Sequence, residues 1–177
     1  MFESISVDGY FCDRNGDMSW AHAGGDDPEF AAWVSSNASS GGDLLFGRKT
    51  YEMMAAFWPT PMAAQQMPEV AKGMNTARKY VASRTIKPTW TNSHLLQGEL
   101  VDAIRTLKSN EGADITILGS GNIAAQLGEA GLVDEYQFVI IPVALGGGRT
   151  IFNNSSNLRL VDQRTFPCGK VVLTYGT

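Results

Sequence analysis

The chain is poor in the residues that build metal centres and disulfide scaffolds. Of its 177 residues two are cysteines, Cys12 and Cys168, and two are histidines, His22 and His94. None of them has metal-ligand spacing, so neither a zinc site nor a disulfide framework is expected. Charge is also sparse, at 18% of residues and a net −4, which leaves no basic stripe to follow a nucleic acid. No apolar run approaches the ~20 residues of a membrane-spanning helix, and the N-terminus lacks a basic segment followed by an apolar one. A cytoplasmic protein without a nucleic-acid or membrane partner is the expectation. There is no internal repeat and no low-complexity segment.

What is present is a globular composition, 44% hydrophobic, on a chain long enough to bury a sizeable core as a single domain over residues 1–177. The most informative stretch runs from Asp43 to Met54. Leu44 to Phe46 are too few for a helix and are bracketed by Gly41, Gly42 and Gly47, as a short buried strand would be. After Gly47 the spacing turns helical, with Tyr51, Met54 and Ala55 on one face. A helix N-terminus offers unpaired N–H groups and a partial positive charge, so a strand–glycine–helix corner can receive an anion. Arg48, Lys49 and Thr50 add two cations and a hydroxyl. Taken alone, the stretch is better explained as an ordinary turn with a solvated Arg-Lys pair, and the second corner downstream is what shifts the balance.

A second corner of the same kind lies downstream. Asp114 to Leu118 reads as a strand, Gly119-Ser120-Gly121-Asn122 as the turn, and Ile123, Leu127 and Ala130 as a helix face ending at Gly131. Two glycine corners could flank one crevice at the carboxyl ends of adjacent strands, where a pyrophosphate meets backbone amides and few side chains.

The rest of the chain supplies alternating elements. Phe2 to Val7 is a strand breaking at Asp8-Gly9; it begins abruptly at Met1, as a strand clipped from a longer one would. Cys12 to Gly25 is a loop whose one large apolar residue, Trp20, serves either as a packing anchor or as a cleft wall. Asp27-Pro28-Glu29 opens a helix with a cap, a first-turn proline and an acidic first turn. Met62 to Asn75, interrupted by Pro68, is expected to be helical and peripheral. Lys79 to Thr85 is a strand, Pro88 to Leu96 holds short extended pieces, and Gly98 to Asn110 is an amphipathic helix. Tyr136 to Ile141 is an apolar strand, and Leu158–Phe166 with Lys170–Tyr175 forms a closing antiparallel hairpin. Alternation through the middle requires parallel crossovers and the hairpin makes the sheet mixed.

The set Ser6-Val7-Asp8-Gly9-Tyr10, Gly47-Arg48-Lys49-Thr50-Tyr51, Val81-Ala82-Ser83-Arg84, Gly119-Ser120-Gly121, Gly131-Leu132-Val133-Asp134-Glu135, Pro142 and Leu145-Gly146-Gly147-Gly148 runs through nearly the whole chain. In this order it resembles the dihydrofolate reductase-like superfamily, in the branch of the riboflavin-biosynthesis reductase domain and its stand-alone relatives. The resemblance implies an α/β fold with a mixed, mostly parallel sheet flanked by helices, and an NADPH-binding reductase. It implies that Arg48 and Thr50, with Gly47 and Lys49, meet the cofactor's phosphates. Ser83 and Arg84 would flank the 2′-phosphate, and Gly119, Ser120, Gly121 and Asn122 would cover the pyrophosphate and nicotinamide side. The substrate would be a small heterocyclic or carbonyl-type molecule of the pteridine or ribosylamino-pyrimidine class.

The catalytic end departs from the family pattern. Dihydrofolate reductases carry one carboxylate on the helix after the first strand, whereas Asp26, Asp27 and Glu29 here follow a His-Ala-Gly-Gly insertion and none aligns cleanly. Asp8, Trp20 and Asp27 are the candidates for the substrate end. Asp27 also suits a helix cap, and Asp8 suits an Asx turn about as well as a cleft wall. The alternatives to a reductase are a nucleotide-binding module of the same fold without turnover, or an assembly domain whose corners are only turns. The apolar strand Tyr136 to Ile141 and the terminal hairpin raise the expectation of a two-fold homodimer.

Overall fold

The computed structural model describes all of residues 1–177. Fourteen helices and strands form in the order β1 (Phe2–Ser6), α1 (Pro28–Ser39), β2 (Asp43–Gly47), α2 (Arg48–Phe57), α3 (Pro61–Gln66), α4 (Pro68–Thr76), β3 (Lys79–Ala82), β4 (Ser93–Leu95), α5 (Leu100–Lys108), β5 (Ile115–Ile117), α6 (Gly121–Glu129), β6 (Glu135–Ile141), β7 (Arg159–Thr165) and β8 (Val171–Gly176). A short 3-10 turn, Ser19–His22, sits within the first loop. The strands form two four-stranded sheets, and the chain divides into two compact units, Met1–Ala31 with Ala124–Thr177 and Ala32–Ile123.

The central unit carries the parallel sheet, in the order β4-β3-β2-β5. Its core gathers Phe46 from β2, Tyr51 from α2, Val70 and Met74 from α4, Val81 from β3 and Trp90. Phe46, Val81 and Leu45 are fully enclosed, each a burial worth roughly 1.5–3 kcal/mol. Tyr51 is held at its polar end as well: its hydroxyl accepts the N–H groups of Thr89 at 3.0 Å and Trp90 at 2.8 Å. The segment expected to be peripheral, Met62 to Asn75, is a structural core element instead. Thr60 caps α3 by accepting the Ala63 N–H, Pro68 opens α4, and Val70, Ala71 and Met74 are buried. Proline here separates two helices that both contribute to the core.

Lys79, the first residue of β3, is completely enclosed. Its ammonium donates to the carbonyls of Asn75, Ala77 and Thr91 at 3.2, 2.7 and 3.1 Å and lies 4.4 Å from the Trp90 ring centre. Burial lowers its pKa to about 8, while the three acceptors answer all three of its protons.

The other unit holds the mixed sheet, β1-β6-β8-β7, in which β1 and β6 run parallel and β6, β8 and β7 are antiparallel. β6 is an interior strand. Tyr136, Phe138, Val139 and Ile141 are covered by this chain's own residues, so its apolar pattern needs no second copy to explain it. β7 is the edge strand and is exposed along its length, Leu160 and Val161 included.

Candidate functional site

The central unit brings the expected cofactor residues to one edge. Because β2, β3 and β5 are parallel and register Gly47 with Ala82 and Leu45 with Ile117, all three release the chain at the same end of the sheet. Gly47-Arg48-Lys49-Thr50 leaves β2, Ser83-Arg84 leaves β3, and Gly119 to Asn122 leaves β5. The chain builds β3 and β4 on one side of β2 and then returns to place β5 on the other. The strand order therefore reverses between β2 and β5, the position at which open parallel sheets bind ligands.

Ser120 ties the two corners together at that point. Its hydroxyl accepts the Gly47 N–H at 2.9 Å and lies 3.3 Å from the Leu118 carbonyl, to which it donates. Its carbonyl accepts the Ile123 N–H at 2.7 Å at the start of α6. Ser120 has φ +60, a left-handed conformation that is uncommon for a residue with a Cβ and that concentrates at ligand sites. Gly47 is needed for closeness: a Cβ there would stand 3.3 Å from Ile123 Cγ1 and 3.7 Å from Ser120 Oγ, and a larger side chain would wedge the corners apart.

The donor set suits a phosphate. Gly47 caps α2 without a side-chain hydrogen bond, and no acidic residue occupies that helix's first turn. The first-turn amides therefore meet no competing side-chain acceptor. Arg48 and Lys49 are exposed and Thr50 is half-buried beside them. Arg48 reaches Glu52 at 3.4 Å and Arg84 reaches Glu99 at 2.7 Å, both across solvent-exposed pairs. Exposed pairs of this kind contribute about 0–1 kcal/mol, so a phosphate could displace either glutamate at little cost. Ser83 Oγ accepts the N–H groups of Thr85 and Ile86 at 3.2 and 3.3 Å, which fixes the turn from which Arg84 projects. Gly121 is buried and Asn122 exposed at the start of α6.

The expected substrate-end residues lie in the mixed-sheet unit, and both carboxylates prove to have bonding duties. Asp8 accepts the Ser6 hydroxyl at 2.6 Å, the Leu145 N–H at 3.1 Å and the Gly146 N–H at 2.7 Å. These bonds, led by the Ser6 hydroxyl, hold its pKa at about 2. Asp8 thereby clamps the end of β1 to the Leu145–Gly146 loop. The clamp is invisible to local reading because its backbone donors, Leu145 and Gly146, lie more than a hundred residues away in sequence.

Asp27 is buried and caps α1, accepting the Glu29 and Phe30 N–H groups at 2.9 and 3.2 Å. Its other oxygen accepts the Cys168 N–H at 3.0 Å, the main reason its pKa is lowered. Neither carboxyl carries a proton at neutral pH, so neither is an acid in waiting. Trp20 is half-buried in the 3-10 turn, with its indole N–H donating to the Asp17 carbonyl at 3.2 Å.

The model of the RibD C-terminal domain matches residues 1–174. The chain belongs to the RibD C-terminal domain family. That is a reductase-type family, and the fold is dihydrofolate reductase-like. Among relatives, an uncharacterised protein of Bacillus subtilis (strain 168), YyaP, is 28% identical over 175 residues, covering 97% of this chain and 90% of that one. Among solved structures, a candidate riboflavin biosynthesis protein from Shewanella sp. PV-4 superposes with TM-score 0.69 at 23% identity, covering 99% of this chain and 96% of that one. A pyrimidine reductase-like protein from Corynebacterium diphtheriae gives 0.61 at 14% identity, with 99% and 89% covered. At these identities the two structures speak to the fold of this RibD C-terminal domain alone.

Proposed function

We propose that this RibD C-terminal domain is a cytoplasmic NADPH-dependent reductase acting on a small heterocyclic or carbonyl-type substrate of the pteridine or ribosylamino-pyrimidine class. The observation that carries the reading is the Ser120–Gly47 bridge at the strand-order reversal between β2 and β5. It joins the two glycine corners at one sheet edge, with Arg48, Lys49 and Thr50 following Gly47, and two such corners together would suit a phosphate. Gly119, Ser120, Gly121 and Asn122 would hold the pyrophosphate and nicotinamide side, and Arg84, with Ser83, the 2′-phosphate. When bound, the nicotinamide supplies the hydride; the protein's part is to orient and to stabilise charge. Because Asp8 and Asp27 stay ionised, the proton that accompanies the hydride does not come from either.

Titration with NADPH, followed by an NADPH-oxidation screen over dihydrofolate, ribosylamino-pyrimidine phosphates and simple carbonyls, tests the reading. Saturable binding with turnover on one class is expected. Binding without turnover across the panel would favour a nucleotide-binding module, and absence of binding would refute both. We also propose a two-fold homodimer, with the exposed edge strand β7 as its seam. A monomer mass by light scattering at micromolar concentration would refute it.

A further inference from the structure

The mixed-sheet unit contains a cavity of about 310 Å³ that the reductase reading does not use. It lies where α6 ends and β6 begins, and its wall is completed by the loop from Ile151 to Ser156. Tyr136 lines it at the start of β6, whereas the Asp8 clamp lies beyond the far end of that strand, roughly 16 Å on at about 3.3 Å per residue. The two places are therefore separate.

Three observations define what the cavity would accept. The first is aromatic surface. Tyr136 stacks on Phe138 with ring centres 6.0 Å apart and meets Phe152 at 5.0 Å, and Phe152 remains 37% exposed. The second is negative polarity. Glu129 is the one charged lining residue, and its Oε1 accepts the side-chain amides of Asn153 at 3.1 Å and Asn154 at 3.2 Å. That leaves its second oxygen and the two amide oxygens to accept from a ligand. Glu129 also ends α6, where the helix carries its partial negative charge. The third is Tyr136 itself, 3% exposed, which lines the cavity beside Gly128 with its hydroxyl close to that glycine. Gly128 makes the room: a Cβ there would lie 2.5 Å from the hydroxyl oxygen.

We infer that this cavity is a second binding site, for a one-ring organic cation such as an amidinium or a protonated amino-heterocycle. The aromatic faces attract positive charge, the Glu129 carboxylate takes charge-assisted N–H bonds, and no lysine or arginine lines the cavity to oppose them. The volume is that of about ten water molecules, at the lower end for small-molecule sites.

Benzamidine is the probe, with benzamide as its uncharged counterpart, both titrated calorimetrically into the whole protein. Benzamidine should bind with a millimolar or tighter dissociation constant, and benzamide about tenfold more weakly, the loss of a charge-assisted bond. Glu129→Gln should weaken benzamidine about tenfold or more, and Phe152→Ala severalfold. Glu129 is exposed, so Glu129→Gln leaves the packing intact, and neither variant should change NADPH affinity. Absence of benzamidine binding, equal binding of the two probes, or binding indifferent to Glu129→Gln would each overturn the inference.

Discussion

Replacing Glu3 by glutamine should flatten the dependence of stability on pH above the acidic range. Glu3 lies on β1 in register with Phe138 of β6 and is only 3% exposed. One carboxyl oxygen accepts the Ser4 N–H at 3.1 Å, and the other has no partner. Burial pushes this carboxyl from its ordinary 4.5 up to about 8. In the unfolded chain it ionises near 4.5; in the folded chain it keeps its proton to about 8. Across that window the folded state binds more protons, so stability falls as pH rises from 4.5 to about 8 and then levels off. At about 1.36 kcal/mol per unit the full loss is about 5 kcal/mol, and at neutral pH about 3 kcal/mol.

Glutamine cannot ionise, so the variant should show none of this loss. Its own buried amide costs about 1–3 kcal/mol at every pH where partners are missing. The variant should thus be near or below the parent at about pH 5 and above it at about pH 8. Urea unfolding of both proteins across that range measures the difference directly. A gap between them that is the same at both ends would show that Glu3 does not titrate with folding, and would refute the reasoning.

Arg84→Ala should weaken NADPH about tenfold or more and leave NADH nearly unchanged, since only the former carries a 2′-phosphate; equal losses for both in a binding titration would remove Arg84 from that role. Asp8→Asn should lower the melting temperature, because an amide cannot accept as the two carboxylate oxygens do from Ser6, Leu145 and Gly146. The clamp's stabilisation is present above the ordinary carboxylate range and is lost as pH falls through about 2, so parent and variant should converge in strong acid. Tyr51→Phe should cost about 2 kcal/mol in chemical unfolding by leaving the Thr89 and Trp90 N–H groups unpaired, with fluorescence of Trp90 as a convenient signal. An unchanged midpoint would mean that those amides find other acceptors.

Local chemistry carried much of this molecule into its sequence. Gly47 and the Gly119–Gly121 turn mark the helix starts because backbone at such corners must pack closely or turn left-handed. Asp27-Pro28 marks α1 because a carboxylate and a fixed φ satisfy a helix start within three residues. The order of these signals was enough to imply parallel strands through the middle of the chain, and the motifs that carry the family resemblance lie among them.

What pairs at long range was not legible. That Ser120 would bridge to Gly47, and that Asp8 would bind Leu145 and Gly146, depends on which strands become neighbours, a choice made by the whole sheet. The same holds for burial. Lys79 and Glu3 are charged residues at strand positions whose surroundings only tertiary packing supplies. For Lys79 that packing provides three carbonyls; for Glu3 it leaves one oxygen bare. Composition fixes how many charges a chain carries, but only the fold decides which of them lose water and what they receive in exchange.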